Sequence, residues 1–202
     1  MSNIGSFFSP TERPPMAMPH SANGSICSRH FILSSGLHSS KYVQCAQLMS
    51  KPDQAAQICQ SLVKKIKSKF NDIDLILSPA MGGIVVGYEI GKLLDVETIF
   101  SERVNGKFQL RRDFKIKQDT NVLIVEDVIT TGKSSIECSN LVKVNKANIV
   151  GYACIIDRSN GKSSIKNKIV SQIKLDIPTY SEKDLPDDLS AIKAVKPGSR
   201  NL

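Results

Sequence analysis

The sequence predicts an α/β domain built on a mostly parallel central sheet flanked by helices, and three observations carry that prediction. Short apolar runs, each followed by a small-residue turn and then a stretch with helical spacing, recur in series, which is how strands joined by crossover helices read. A length of 202 residues suits one such domain with a full core and is short for two. Apolar residues at 41% and charged residues at 23% are ordinary globular values, so a disordered chain, a collagen and a disulfide miniprotein are excluded.

The elements follow in chain order. Residues 1–29 carry Pro10, Pro14, Pro15 and Pro19 among six serines without periodicity, and read as a mobile extension ahead of a domain over 30–202. They lack the apolar core of a secretory leader, while a Ser-rich, acid-poor targeting peptide stays open. Residues 53–70 place Ala55, Ile58, Leu62 and Ile66 at helical spacing, with Lys64, Lys65, Lys67 and Lys69 toward the end where the helix dipole favours cations. Residues 75–77 are a strand that leads through Ser78-Pro79-Ala80-Met81-Gly82-Gly83 into a helix ending near Leu94. Residues 96–101 are the next strand, and Asn105-Gly106 turns it into a β-hairpin with 107–110. Residues 122–125 form a strand, 126–132 a turn and 134–144 a helix. Strands over 149–156, ending in Asp157-Arg158-Ser159, and over 169–175 complete the series. Ligands of such sheets bind where the carboxyl ends of the strands open into loops, so the turns after 77, 125 and 156 are the places to look.

Charge and cysteine content narrow the function classes. A net charge of +8 favours an anionic partner. The excess is spread along the chain, with one dense cluster of Arg103, Lys107, Arg111, Arg112, Lys115 and Lys117 in its middle. Four Tyr, seven Phe and no Trp leave little to stack bases on, and nothing resembles a nucleic-acid arm, so no nucleic-acid partner is expected. No apolar run reaches the roughly 18 residues of a membrane span, so neither a membrane partner nor a membrane location is expected. The cysteines, Cys27, Cys45, Cys59, Cys138 and Cys154, form no CxxC pair and read as reduced, mostly buried thiols of a cytoplasmic protein. His20, His30 and His38 lack ligand spacing, which argues against a caged transition metal.

The most informative string is Glu126-Asp127-Val128-Ile129-Thr130-Thr131-Gly132-Lys133-Ser134, at the end of an apolar strand. Small residues, hydroxyls and a helix N-terminus are what a phosphate needs. Gly-Lys-Ser also ends a nucleotide P-loop, but that motif requires glycine where this chain has Asp127. Two carboxylates beside a phosphate pocket would repel the phosphate unless they accept hydrogen bonds from another group, and ribose hydroxyls are suitable donors. The bland alternative is an acidic helix start with a threonine cap.

This string resembles the phosphoribosyl pyrophosphate signature of type I phosphoribosyltransferases. Further segments bring the resemblance to the orotate phosphoribosyltransferases. They are Phe31-Ile32-Leu33-Ser34-Ser35-Gly36-Leu37-His38-Ser39-Ser40-Lys41-Tyr42, Phe100-Ser101-Glu102-Arg103-Val104-Asn105-Gly106 with Leu110-Arg111-Arg112-Asp113-Phe114, Asp157-Arg158-Ser159, Leu185-Pro186 and Val195-Lys196-Pro197-Gly198-Ser199-Arg200. The resemblance implies the type I phosphoribosyltransferase fold, with a small hood from the N-terminal segment and a flexible β-hairpin loop. It implies transfer of ribose 5-phosphate from phosphoribosyl pyrophosphate to orotate, giving orotidine 5′-monophosphate and diphosphate, in pyrimidine biosynthesis. It implies Mg²⁺ held mainly by the substrate, with no metal ligands expected from protein side chains, and a homodimer in which the loop serves a shared site.

Residue by residue, the resemblance makes Asp127, Glu126, Arg103 and Lys107 the catalytic set. Glu126 and Asp127 would hold the ribose hydroxyls, and Arg103 and Lys107 the leaving diphosphate. Val128, Ile129, Thr130, Thr131, Gly132, Lys133 and Ser134 would complete the phosphoribosyl site, with Gly82 and Gly83 of the preceding turn on the diphosphate. Thr130 and Arg158 would meet orotate, because Ser34 stands where some relatives have a carboxylate-binding lysine. Two alternatives remain: a purine-type phosphoribosyltransferase of salvage, and a non-catalytic nucleic-acid-binding regulator on the same fold.

Overall fold

The computed structural model describes residues 26–33 and 36–196. Eight strands and five α-helices follow in the order β1 (Ile26–Ile32), β2 (His38–Val43), α1 (Cys45–Met49), α2 (Pro52–Lys67), β3 (Leu75–Pro79), α3 (Gly82–Leu94), β4 (Glu97–Val104), β5 (Lys107–Leu110), β6 (Asn121–Ile129), α4 (Lys133–Val144), β7 (Asn148–Asp157), β8 (Ile169–Lys174) and α5 (Asp187–Ser190), with a 3₁₀ turn at Glu182–Asp184. Six strands form one sheet in the order β5-β4-β3-β6-β7-β8, in which only β5 runs antiparallel. The sheet is the expected one, and the hairpin at Asn105-Gly106 is where the sequence predicts it.

Side chains of β3, β6 and β7 alternate between two cores, as a period of two demands. Ile76, Leu123, Val125, Ala153 and Ile155 pack with α1, α2 and α3 on one face. Leu75, Leu77, Val122, Ile124, Tyr152 and Cys154 pack with Cys138 and Val142 of α4 on the other. All five residues of β3 are buried, which is what a central parallel strand covered on both faces requires. The chain runs outward from β3 to β4 in one direction and from β6 through β7 to β8 in the other. The strand order therefore reverses between β3 and β6, and a crevice opens at their carboxyl ends.

Three differences from the sequence reading bear on function. First, β6 continues through Glu126 and Asp127 to Ile129, where a turn was expected, because it stays paired with β7 at Glu126↔Cys154, Val128↔Ile156 and Ile129↔Asp157. Secondly, β1 begins at Ile26, inside the segment expected to be a mobile extension; the rest of that expectation, residues 1–25, lies outside the described residues, as does Ser34. Thirdly, α1 was not foreseen.

The strands β1 and β2 form a separate antiparallel hairpin, the hood. The C-terminal segment ties it down: Ile32 N–H donates to the Val195 carbonyl (2.9 Å), Val195 N–H to His30 (2.8 Å), and His38 and Tyr180 exchange a pair of 2.9 Å bonds. Buried within this clasp, His30 Nδ1 meets the Ile192 carbonyl at 2.7 Å and His30 Nε2 meets His38 Nδ1 at 2.6 Å. A carbonyl only accepts, so His30 Nδ1 carries a proton. With both rings neutral, His38 Nδ1 is then the donor to His30 Nε2.

Cys45, Cys59, Cys138 and Cys154 are free and buried, as the sequence suggests; Cys27 has no described side chain. Burial pushes the thiols of Cys45, Cys59 and Cys138 up to about 12, so they stay protonated and unreactive.

Candidate active site

A cleft of about 610 Å³ lies at the strand-order reversal, lined by residues from the hood, the β4–β5 hairpin, the end of β6, the start of α4 and the end of β7. Its centre is the pair Glu126 and Asp127. Because both lie within a strand, they diverge to opposite faces of the sheet. Glu126 accepts a bond of 2.5 Å from Ser135 of α4. The Asp127 carboxylate turns the other way, toward the start of α3, where a Cβ added to Gly82 would sit 2.5 Å from its Oδ2. Gly82 is thus a glycine because the carboxylate occupies the space a side chain would need.

Burial pushes the Asp127 carboxyl above its ordinary value, and the Val128 N–H bond at 2.9 Å opposes this only in part. A buried carboxylate whose donors come only from the Val128 and Asp127 backbone fits a substrate that brings further donors, such as sugar hydroxyls.

Thr130, Thr131, Gly132, Lys133 and Ser134 line the same cleft. The helix α4 starts here with no acidic residue in its first turn and no capping side chain at Gly132; the Lys133 N–H makes only a long 3.4 Å bond to Thr131 Oγ1, and the helix dipole favours an anion at this end. Gly132 has φ +79°, a left-handed conformation that suits glycine, and a Cβ there would meet Ile165 at 2.7 Å. Both constraints keep the turn small beside the phosphate position.

On the neighbouring strand, the Arg158 backbone N–H donates to the Ile129 carbonyl (2.8 Å), locking the end of β7 to that of β6. Its side chain lines the cleft, with Nε and Nη2 buried and without a hydrogen-bond partner among the described residues. The Asp157 carboxylate accepts instead from Ser159 N–H at 2.8 Å, and Arg158 Nε and Nη2 make no bond to it. Burial lowers the Arg158 pKa from its ordinary value, while the nearby Tyr42 phenol acts in the opposite sense. A half-buried cation with idle donors is costly unless an anion completes it.

Of the hairpin cations, Arg103 lines the cleft. It pairs with Glu137 of α4 at 2.7 Å and its guanidinium lies 4.2 Å from the Phe108 ring centre. Arg111 and Arg112 pair instead with Glu102, at 3.4 and 2.5 Å, and belong to the hairpin itself.

The cleft therefore gathers Glu126, Asp127, Val128, Thr130, Thr131, Gly132, Lys133, Ser134, Arg103 and Arg158. It does not gather every expected residue. Ile129 points into the core at 1% exposure, on the face of Val122 and Ile124, because the alternation slips by one residue between Asp127 and Val128, and only its carbonyl serves the site. Lys107 is exposed on the hairpin and does not line the cleft. Gly83 is buried against Pro79 and the Val125 carbonyl, and Gly82 reaches the site only through Asp127. Sequence reasoning missed Leu33, Tyr42, Gln44 and Gly106, which also line the cleft. The first three follow from the hood, whose position no local pattern reveals.

No group of three or more His, Cys, Asp or Glu side chains among the described residues is placed to cage a metal. The oxygen donors present, Glu126 and Asp127, fit Mg²⁺ that keeps water and substrate oxygens in its shell.

Comparison with known proteins bears on the family and the fold. A phosphoribosyl transferase domain model matches residues 51–182. The chain is 46% identical over 180 residues to an orotate phosphoribosyltransferase of Methylobacterium sp. (strain 4-46), covering 89% of this chain and 92% of the relative. A second, from Rhizorhabdus wittichii, is 44% identical over 172 residues, covering 85% and 88%. Among solved structures, the orotate phosphoribosyltransferase of Aeropyrum pernix superposes with a TM-score of 0.66 at 21% identity, over 76% of this chain and 89% of that one, which supports the fold.

Proposed function

The chain belongs to the phosphoribosyltransferase family and, within it, to the orotate phosphoribosyltransferases, and from that premise we propose how its cleft carries out the transfer. The reaction moves ribose 5-phosphate from phosphoribosyl pyrophosphate to orotate, releasing diphosphate, as a step of pyrimidine biosynthesis. The observation that carries the assignment of roles is Arg158, a cleft-lining cation with two buried donor atoms that have no partner among the described residues. Orotate is an acceptor base with a carboxylate, and a bidentate carboxylate would occupy those donors. Thr130 and Tyr42 stand on the same wall.

The transition state has a developing ribosyl cation with little bonding to either group, so positioning and electrostatics do the work. The 5-phosphate sits on the 130–134 turn and the first N–H groups of α4. Glu126 and Asp127 hold the ribose hydroxyls from opposite sides of the β6 end, and their charge favours the cation. Arg103 offsets charge on the departing diphosphate. Bound Mg²⁺ would supply positive charge against the diphosphate, and Glu126 and Asp127 are the cleft carboxylates that would face it.

A second copy of the chain completes the proposal. Met81, Val85 and Tyr88 stand 82%, 51% and 65% exposed at positions that share one face of α3 and its start, an apolar stripe beside the site that suits a partner subunit. Mixing Arg103→Ala with Asp127→Asn chains tests a shared loop. The Arg103–Glu137 pair within one chain supports a hairpin that serves the cleft it lines, so no recovery in verified mixed dimers is the expected result; recovered turnover would assign the hairpin to the partner's cleft.

The function is tested by incubating purified protein with orotate, phosphoribosyl pyrophosphate and Mg²⁺ and following orotate absorbance. Absorbance falls and orotidine 5′-monophosphate accumulates, whereas uracil and hypoxanthine, which offer no carboxylate, are poor acceptors. Faster turnover of hypoxanthine than of orotate would overturn the assignment. No helix among the described residues is long and apolar enough to cross a membrane, and a cytoplasmic location is the reading that suits a metabolic enzyme of this kind.

A further inference from the structure

We propose that Glu137 is a positioning residue for the transfer: it holds the Arg103 guanidinium on the cleft wall where the diphosphate leaves. The proposal rests on the reading above that Arg103 meets the diphosphate.

Arg103 stands near the end of β4, on the hairpin that departs from the sheet edge. Three contacts hold it. Its guanidinium lies over the Phe108 ring, its Nη1 donates to the Gly106 carbonyl at 2.5 Å, and its Nη2 approaches Glu137 Oε2 at 2.7 Å. The first two belong to the hairpin and would travel with it. Glu137 alone connects the guanidinium to a different element, α4.

The place of Glu137 on α4 gives this connection its meaning. It lies four residues after Lys133 and three after Ser134, one turn beyond the N–H groups that face the 5-phosphate position. The ion pair therefore fixes the distance between the cation intended for the diphosphate and the cradle intended for the 5-phosphate. The two substrate groups are joined through one ribose, so their separation is set by the substrate and must be matched by the protein.

The other hairpin arginines show the contrast, since Arg111 and Arg112 both pair with Glu102 of the hairpin itself and tie nothing to α4. Glu137 Oε2 is shielded from solvent and its contact with Arg103 is coulombic rather than a well-aligned hydrogen bond. A guanidinium has five N–H donors, so the contacts to Gly106 and Glu137 leave others on this cleft-lining residue for phosphate oxygens. Holding a long side chain in place before the substrate arrives removes an ordering cost from binding.

The test is a double-mutant cycle read in steady-state kinetics with Glu137→Gln, Arg103→Ala and the double variant. Glu137→Gln keeps the shape and removes the charge, and it lowers kcat/KM for phosphoribosyl pyrophosphate on the order of tenfold while the KM for orotate stays unchanged. In the Arg103→Ala background the same change has no further effect. Additive losses, or a loss expressed equally in the orotate KM, would overturn the positioning role. If Arg103→Ala itself leaves turnover intact, the role assigned to Arg103 falls, and this proposal with it; if Arg103→Ala is impaired and a folded Glu137→Gln is not, only this proposal falls. Should Glu137→Gln fail to fold, Glu137→Asp keeps the charge and shortens the reach. It raises the KM for phosphoribosyl pyrophosphate at an unchanged melting midpoint, and an unchanged KM in that folded variant is the contrary result.

Discussion

The two ends of the cleft are built on opposite plans. At the phosphate end the residues from Glu126 to Ser135 are contiguous in the chain and run from a central strand directly into a helix. At the base end, Leu33, Tyr42 and Gln44 come from the hood and its exit, and Arg158 from the end of β7, more than a hundred residues later. The first is held by the sheet, whose strand is buried on both faces. The second depends on a two-stranded hairpin clasped to the C-terminal segment, and a lone hairpin is marginal without such support. Rigid placement therefore belongs to the phosphoribosyl group, while the base pocket rests on contacts that open more easily.

The largest expected effect tests the rigid end. Asp127→Asn lowers kcat on the order of a hundredfold and at the same time raises the melting midpoint. The sign follows from the raised pKa. In the fold the protonated form is favoured, so the associated stability is present below the ordinary carboxylate value and is lost as pH rises through the raised one. At neutral pH the ionised group is a cost that asparagine removes. The acid limb of kcat/KM in the parent protein lies above the usual carboxylate range and disappears in the variant. A melting midpoint that falls would break the picture of a rigid end kept under electrostatic strain for function.

Next comes the base end. Arg158→Gln raises the KM for orotate roughly tenfold to a hundredfold and leaves that for phosphoribosyl pyrophosphate nearly unchanged, as substrate-variation kinetics will show. Equal effects on both substrates would mean that the two ends are not separable. Gly132→Ala returns to the phosphate turn, where the left-handed backbone disfavours any side chain by about 1 kcal/mol and the added methyl crowds Ile165. It weakens phosphoribosyl pyrophosphate several-fold and spares orotate.

The smallest effect sharpens the role of the clasp. His38→Phe leaves the buried His30 Nε2 without its donor, at about 1–3 kcal/mol. Hydrogen exchange at β2 quickens, the orotate KM rises a few-fold, and the phosphate end is untouched. Unchanged exchange at β2 would show that the backbone bonds to Tyr180 and Val195 suffice.

What could be read before the fold was known follows the same division. The alternation of strands and helices was legible, because each unit is local and its period shows in a few residues; β3, α3, the Asn105-Gly106 turn and α4 lie close to where the spacing places them. The end of β6 was misread because Glu126 and Asp127 look like turn residues, and only pairing with β7 keeps them in the strand. The same error hid their divergence to opposite faces. Ile129 illustrates the converse: it sits inside the informative string, yet its side chain belongs to the core.

By itself, the sequence determined the parallel α/β architecture, the phosphate turn and its two carboxylates, because these arise from neighbours along the chain and from hydrogen bonds that every strand and helix must make. It also supplied Arg158 as a candidate, though not the reason for it. Only the tertiary structure decided that two buried donor atoms of Arg158 have no partner among the described residues, that Arg103 is tied to α4 through Glu137, and that Tyr42 and Gln44 join the cleft. Those facts depend on pairs of residues far apart in sequence, and such pairs meet only once hydrophobic burial across the whole sheet has brought their elements together.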